Sequence, residues 1–178
     1  MDKKRIFYIG GASGSGKTFS TRKLSNEYSV STCRLDNFYD KECGRGKSKQ
    51  EAEKATRSKC QRYIESQLNK GEEGIIEGGW IEPHVAATIK EKFPDTFFPV
   101  YAGYANDDPE SRLKKIKQGG THWLCLDESP IAFIKKQILD SQWYEEECEK
   151  YKIMYIDYSQ PEIGNGRLKE YFNSIFKE

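Results

Sequence analysis

Residues 11–18 read Gly11-Ala12-Ser13-Gly14-Ser15-Gly16-Lys17-Thr18 and satisfy the pattern G-x-x-x-x-G-K-[ST] in full. Before them, Arg5 to Gly10 is a short apolar run that ends in glycines, as a buried parallel strand does. After them, Thr18 to Tyr28 places Thr21, Leu24 and Tyr28 at helical spacing. Strand, glycine-rich loop and helix is the context in which the pattern binds phosphate. Glycines let successive backbone N–H groups curl toward one anion, and the helix N-terminus adds the positive end of its dipole. Gly11, Ala12, Ser13, Gly14, Ser15 and Gly16 are thus expected to cradle a nucleotide. Lys17 would reach its β and γ phosphates, and the Thr18 hydroxyl would ligate Mg²⁺.

The rest of the chain repeats the alternation. Val30 to Leu35 reads as a second strand, and Ser48 to Leu68 as a long helix stopped by Gly71. Ile75 and Ile76 centre a third strand ending at Glu77; Val85, Ile89 and Phe93 mark a helix ended by Pro94. A fourth strand lies within Phe97 to Gly103, with Pro99 expected to confine it to the later residues. Asp108-Pro109 caps a helix that Gly119-Gly120 stops, and Ser129-Pro130 opens another toward Lys150. Ile153 to Ile156 is the fifth strand, and Leu168, Tyr171, Phe172, Ile175 and Phe176 line a closing helix. The expected fold is α/β with three layers, a five-stranded parallel sheet with helices on both faces and a small lid. Ligands of such sheets sit outside the carboxyl ends of the strands. The residues that follow those ends are Asp36, Glu77, the Tyr104 to Asp108 segment and Asp157 to Gln160.

Length and charge narrow the function. A chain of 178 residues fits a single domain, 1–178, and is too short for an ABC or AAA+ motor. Neither the D-x-x-G switch nor the N-K-x-D guanine reader of a GTPase occurs. The 29 basic and 28 acidic residues cancel to +1, which excludes coating a nucleic acid or an acidic membrane. No stretch approaches the ~20 apolar residues of a membrane helix. Five scattered cysteines, with no C-x-x-C pair, suit a reducing compartment, so a cytoplasmic protein is expected. It would act as a monomer or homodimer with no membrane partner.

From the glycine-rich loop onward, the order of motifs resembles the uridine kinase-like and nucleoside monophosphate kinase-like group of P-loop kinases. Arg34-Leu35-Asp36-Asn37-Phe38-Tyr39 looks like that group's D-S-F-Y segment, and Ile75-Ile76-Glu77-Gly78-Gly79 like its I-x-E-G. Arg112-Leu113-Lys114-Lys115-Ile116-Lys117 is similar to its lid helix, with lysines in place of most arginines, and Tyr155-Ile156-Asp157-Tyr158-Ser159 to its Y-x-D-T-S strand. The resemblance implies an ATP- and Mg²⁺-dependent kinase of a small acceptor, foremost a nucleoside or nucleotide. It also implies an acceptor-binding insertion, placed at 41–70, and a lid, placed at 109–128.

Phosphoryl transfer needs positioning, charge stabilisation and a group that orients or deprotonates the attacking hydroxyl. Asp36, beside the loop, suits the base and the metal; a turn or capping aspartate is the other reading. Glu77 could hold a water on the metal or a substrate hydroxyl, or simply open a loop. Arg112 and Lys115, three apart on one helical face, could close over the transferring phosphate or be solvated charges. Tyr39 and Trp80, with Phe38 and Tyr104, follow strand ends and could stack on an acceptor ring or pack as core, Trp80 being the best placed for acceptor contact. Asp157 borders the adenine in this reading. The segment Lys41 to Arg62 holds eight basic and three acidic residues, either a solvated helix face or an attractor of an anionic acceptor. A polynucleotide end, a sugar or an organic acid stays open as acceptor, as does an ATP-binding regulatory module without transfer activity.

Overall fold

A computed structural model describes residues 4–118 and 129–176. Five strands, β1 (Ile6–Gly11), β2 (Thr32–Arg34), β3 (Gly74–Glu77), β4 (Phe97–Gly103) and β5 (Met154–Asp157), form one sheet in the order β2-β3-β1-β4-β5. Every pairing is parallel. The helices are α1 (Lys17–Tyr28), α2 (Asp36–Cys43), α3 (Lys49–Asn69), α4 (Pro83–Lys92), α5 (Pro109–Gln118), α6 (Pro130–Lys150) and α7 (Pro161–Phe176). The expected α/β architecture is the observed one. Gly119-Gly120, His122 and the remainder of the expected lid, 119–128, lie outside the described residues. Among the described residues no helix is long and apolar enough to cross a membrane.

β1 occupies the middle of the sheet, and all six of its residues are buried. Its side chains alternate between two cores, as the twofold period of a strand requires. Ile6 and Tyr8 join Ile64, Ile89 and Ile134 on one face, while Phe7 and Ile9 join Leu24, Leu168 and Phe172 on the other. Phe7 meets Phe172 edge to face at 5.2 Å, and each such side chain contributes about 1.5–3 kcal/mol on burial. The expected caps form, Asp108 accepting the Ser111 N–H at 2.8 Å and Ser129 the Ala132 N–H at 3.3 Å, and Ser48 adds a capping box with Glu51.

Two local expectations change. β4 begins at Phe97 and runs through Pro99, because pairing with β5 starts only at Val100; the proline falls where the strand has one neighbour. The stretch after β2 is helical, and Asp36 opens α2. The inward side of that helix carries Glu42, whose side chain is 0% exposed. Arg45 reaches it at 2.8 Å, and Lys47 and Lys59 also bind it. Three bases of the Lys41 to Arg62 segment are therefore spent on a buried carboxylate, which lowers the positive charge that segment offers to solvent.

Hydrogen bonds from Lys47 and then Lys59 hold the Glu42 carboxyl down at about 2, against an ordinary 4.5. A depressed carboxyl contributes stability that is present above the unfolded value and lost as pH falls through the folded one. Glu42→Gln is expected to lower the melting temperature at pH 7. The gap to wild type should close between pH 4.5 and about 2 in thermal melts followed by circular dichroism; a gap constant over that range would remove Glu42 from the account.

Candidate active site

The glycine-rich loop leaves β1 at Gly11, where φ is +112° and a Cβ would lie 2.0 Å from the Ala102 carbonyl oxygen. Only glycine lets β1 and β4 approach so closely at the point where the chain turns into the loop. Gly14 and Gly16 also take positive φ, and Lys17 opens α1. The Lys17 ammonium donates to the Ala12 carbonyl at 2.6 Å, folding back over its own loop. Burial pulls its pKa down, while the negative charges of Glu77 and Asp36 oppose that shift.

Glu77, at the end of β3, is 1% exposed. The Thr18 hydroxyl donates to it at 2.9 Å and Arg34 Nε at 3.0 Å. Arg34 also lies 3.6 Å from Asp36, so one guanidinium ties both carboxylates together. The other Asp36 oxygen accepts the Trp80 indole N–H at 2.8 Å. Tyr39 and Trp80 stack on each other, with ring centroids 4.8 Å apart and planes inclined at 27°. Trp80 itself is fixed through its backbone neighbours. Tyr8 donates to the Gly78 carbonyl at 2.5 Å, Tyr101 to that of Ile81 at 2.8 Å and Tyr144 to that of Gly79 at 3.4 Å. Burial raises the pKa of all three phenols, which keeps them neutral donors.

Two cavities meet at this cluster. One, of 420 Å³, is bordered by Gly14, Gly16, Lys17, Thr18, Arg34 and Glu77. The other, of 360 Å³, lies between α3 and α6 and is bordered by Glu53, Arg57, Trp80, Gln137, Asp140 and Tyr144. Ser13, Lys17 and Asp36 line both. The sequence reading missed α6 as a wall of the second cavity. Its Gln137 accepts the Ser13 N–H at 2.9 Å and donates to Asp140 at 3.0 Å, a pairing across 124 residues that no local pattern announces. Arg34 lay within a quoted motif, yet only the geometry shows its link to Asp36 and Glu77.

The expected lid cations sit beneath the loop. Arg112, 4% exposed, donates to the carbonyls of Gly14 and, at 3.1 Å, Tyr158, and its guanidinium lies 4.0 Å from the Tyr104 ring centroid. Lys115 shares its helical face and binds Asp107 at 3.1 Å and the Ser159 carbonyl at 2.9 Å. Asp157 accepts from the Ser159 N–H at 2.8 Å and from Asn106 at 3.0 Å, closing the loop after β5. In the geometry shown, Arg112 braces the phosphate-binding loop from below.

Comparison with known proteins gives the fold. No family model matches the chain, and no curated protein matches it in sequence. Solved structures do. A shikimate kinase from Bacteroides thetaiotaomicron superposes with a TM-score of 0.61 at 14% identity, over 95% of this chain and 98% of its own. A sugar kinase from Janibacter sp. HTCC2649 gives 0.62 at 16% identity, over 97% and 96%. A gluconokinase from Sinorhizobium meliloti 1021 gives 0.58 at 14% identity, over 98% and 99%. The chain thus shares the fold of these kinase structures, a five-stranded parallel sheet with helices around it, over 95–98% of its length.

Among the described residues, replacing Arg112 would leave Asp107, itself only 7% exposed, with Lys115 as its ion-pair partner. Arg112→Met is expected to cost about 3 kcal/mol, the range for breaking a buried pair, measured by urea unfolding. A change within experimental error would show that the guanidinium does not brace the loop.

Proposed function

We propose that this chain is an ATP-dependent kinase that moves the γ-phosphate of ATP to a hydroxyl of a small acceptor. The observation that carries this reading is the meeting of two cavities at Lys17 and Asp36. One side is lined by the phosphate-binding loop, and the other is roomy enough for a single-ring compound. Likeness to kinases of small sugars and acids supports the reaction type.

Roles follow from placement. The backbone of Gly11 to Gly16 and the ammonium of Lys17 would hold the triphosphate, with Arg112 keeping the loop in shape. The Thr18 hydroxyl and Glu77 carboxylate, hydrogen-bonded to each other next to the loop, are oxygen donors of the kind Mg²⁺ takes, and Asp36 lies within reach through Arg34. When bound with ATP, Mg²⁺ supplies neutralisation of the β and γ oxygens. Asp36 accepts the proton of the acceptor hydroxyl. The new bond joins that oxygen to the γ-phosphorus as the bond from phosphorus to the β–γ bridging oxygen breaks, and ADP leaves. Trp80 orients the Asp36 carboxylate by its indole N–H.

The acceptor class is the finer question. A nucleoside or nucleotide, favoured by the resemblance to uridine kinase-like enzymes, would have to contend with Tyr39 and Trp80 already stacked on each other. That resemblance rests on the sequence motifs alone. A polynucleotide end finds less support than the charge count suggested, since Arg45, Lys47 and Lys59 pair with Glu42 and Arg57 with Glu82. A compact hydroxyl compound fits the second cavity best.

Asp36→Asn is expected to lower acceptor-dependent ADP release by about 10²–10⁴-fold, the usual worth of a general base, while ATP binding by calorimetry stays within twofold. A panel of nucleosides, sugars, amino sugars and organic acids supplies the acceptors. ATP binding without ADP release on any of them would instead favour a regulatory module, and unchanged turnover in the variant would remove Asp36 from the chemistry.

A further inference from the structure

The cavity beside the phosphate-binding loop has a charge character of its own. Four carboxylates border it, from Asp36, Glu53, Glu82 and Asp140, against two cations, Lys17 and Arg57. Both cations have other duties. Lys17 folds over the phosphate-binding loop, and Arg57 is ion-paired with Glu82. Asp36 is taken up by Trp80 and Arg34. Glu53 on α3 and Asp140 on α6 are left over. Glu53 makes no hydrogen bond or ion pair among the described residues. Among the described residues Asp140 accepts one bond, from the Gln137 amide at 3.0 Å, with the exposed Lys136 one turn before it on the solvent side.

A carboxylate at a cavity wall that no ion pair neutralises repels an anionic guest and attracts a cationic one. Burial pushes the Asp140 carboxyl up, Lys136 and the Gln137 hydrogen bond opposing, so a cation entering the cavity would relieve a group held at some cost in its ionised form. The remaining wall is aromatic: Trp80, Trp143 and Tyr144 offer ring surface to an alkylammonium or to the apolar face of a sugar.

We propose that this cavity selects an acceptor that carries a protonated amine beside its hydroxyls, an amino sugar of one ring, and that Glu53 and Asp140 are its specificity-determining residues. The inference rests on the kinase reading of the same site and sharpens it, since acidic acceptors would be disfavoured and neutral ones intermediate.

A matched trio tests it: glucosamine, glucose and gluconate share a six-carbon hydroxylated skeleton and differ in charge. With ATP and Mg²⁺, ADP release should give a kcat/KM for glucosamine at least tenfold above that for gluconate, with glucose between them. Binding of the same three compounds, measured by calorimetry in the presence of a non-hydrolysable ATP analogue, should follow the same order. In Glu53→Gln, in Asp140→Asn and in the double variant, the ratio of glucosamine to glucose should fall, to within about twofold in the double variant. Gluconate or glucose equalling glucosamine, a preference that survives the double variant, or no binding of any of the three would overturn the proposal. The two readings fail separately. Preferential glucosamine binding, lost in the variants, with no ADP release would keep the amine pocket and overturn the kinase. ADP release that favours gluconate would keep the kinase and overturn the amine pocket.

Discussion

Glu77 is the charge around which this molecule is arranged. A carboxylate with 1% exposure at the end of an inner strand is costly unless it is paired and hydrogen-bonded, and the penalty for an unpaired buried ion is several kcal/mol. Its partners come from two directions: Thr18 from the start of α1 and Arg34 from the end of β2. The sheet order sets this up, because β3 lies between β2 and β1, and β1 leads directly into the phosphate-binding loop. Satisfying one buried acid therefore fixes the loop's threonine, and through Arg34 it also fixes where Asp36 begins α2. Stability and site geometry are the same set of bonds here.

A second set of bonds acts from the core. Tyr8 on β1, Tyr101 on β4 and Tyr144 on α6 hold consecutive stretches of the turn after β3 by their carbonyls. Buried phenols need hydrogen-bond partners, and unpaired carbonyls in a buried turn need donors, so each group answers the other's requirement. Trp80 projects from that turn toward Asp36. An aspartate at a strand end, with half of its side chain exposed, would otherwise be free to rotate. The indole N–H removes that freedom, a form of preorganisation that begins with the tyrosines of the hydrophobic core.

What the sequence disclosed and what it hid divides along the range of the interactions. The phosphate-binding loop, the five strands and the acids at strand ends were legible because period, glycine spacing and strand-end position are local properties. Helix α2 was not, since the residue that buries its inner side is Glu42, a charged residue that periodicity counts as solvent-facing. The cations of 41–62 were counted correctly and misjudged in effect: their pairing with Glu42 depends on α2 folding against α3. Pro99 was read as a strand limit because its cost depends on how many neighbours the strand has at that residue. Gln137 and Asp140 gave no signal at all, lying on a long helix whose apolar register was read only as core.

The division of charge between the two cavities follows from this layout. The side bordered by the glycine-rich loop combines Lys17 and Arg34 with Asp36 and with Glu77, which Thr18 holds. The other side, proposed to take the acceptor, draws its walls from α3 and α6, helices that supply Glu53, Asp140 and aromatic rings. Under the proposed reaction a polyanionic donor would meet two cations offsetting two acids on the first side, and four acids outnumbering two cations on the second. Such a separation would orient the proposed transfer before any substrate-specific contact is made, since donor and acceptor would be sorted by sign. Lys17 and Asp36, the two charged residues common to both cavities, then stand at the boundary with opposite charges. In the proposed reaction the ammonium would face the phosphate that leaves the donor, and the carboxylate the hydroxyl that receives it. The glycine-rich loop fixes the position of the first; the second depends on Arg34 and Trp80, which follow from how the ends of β2 and β3 are closed.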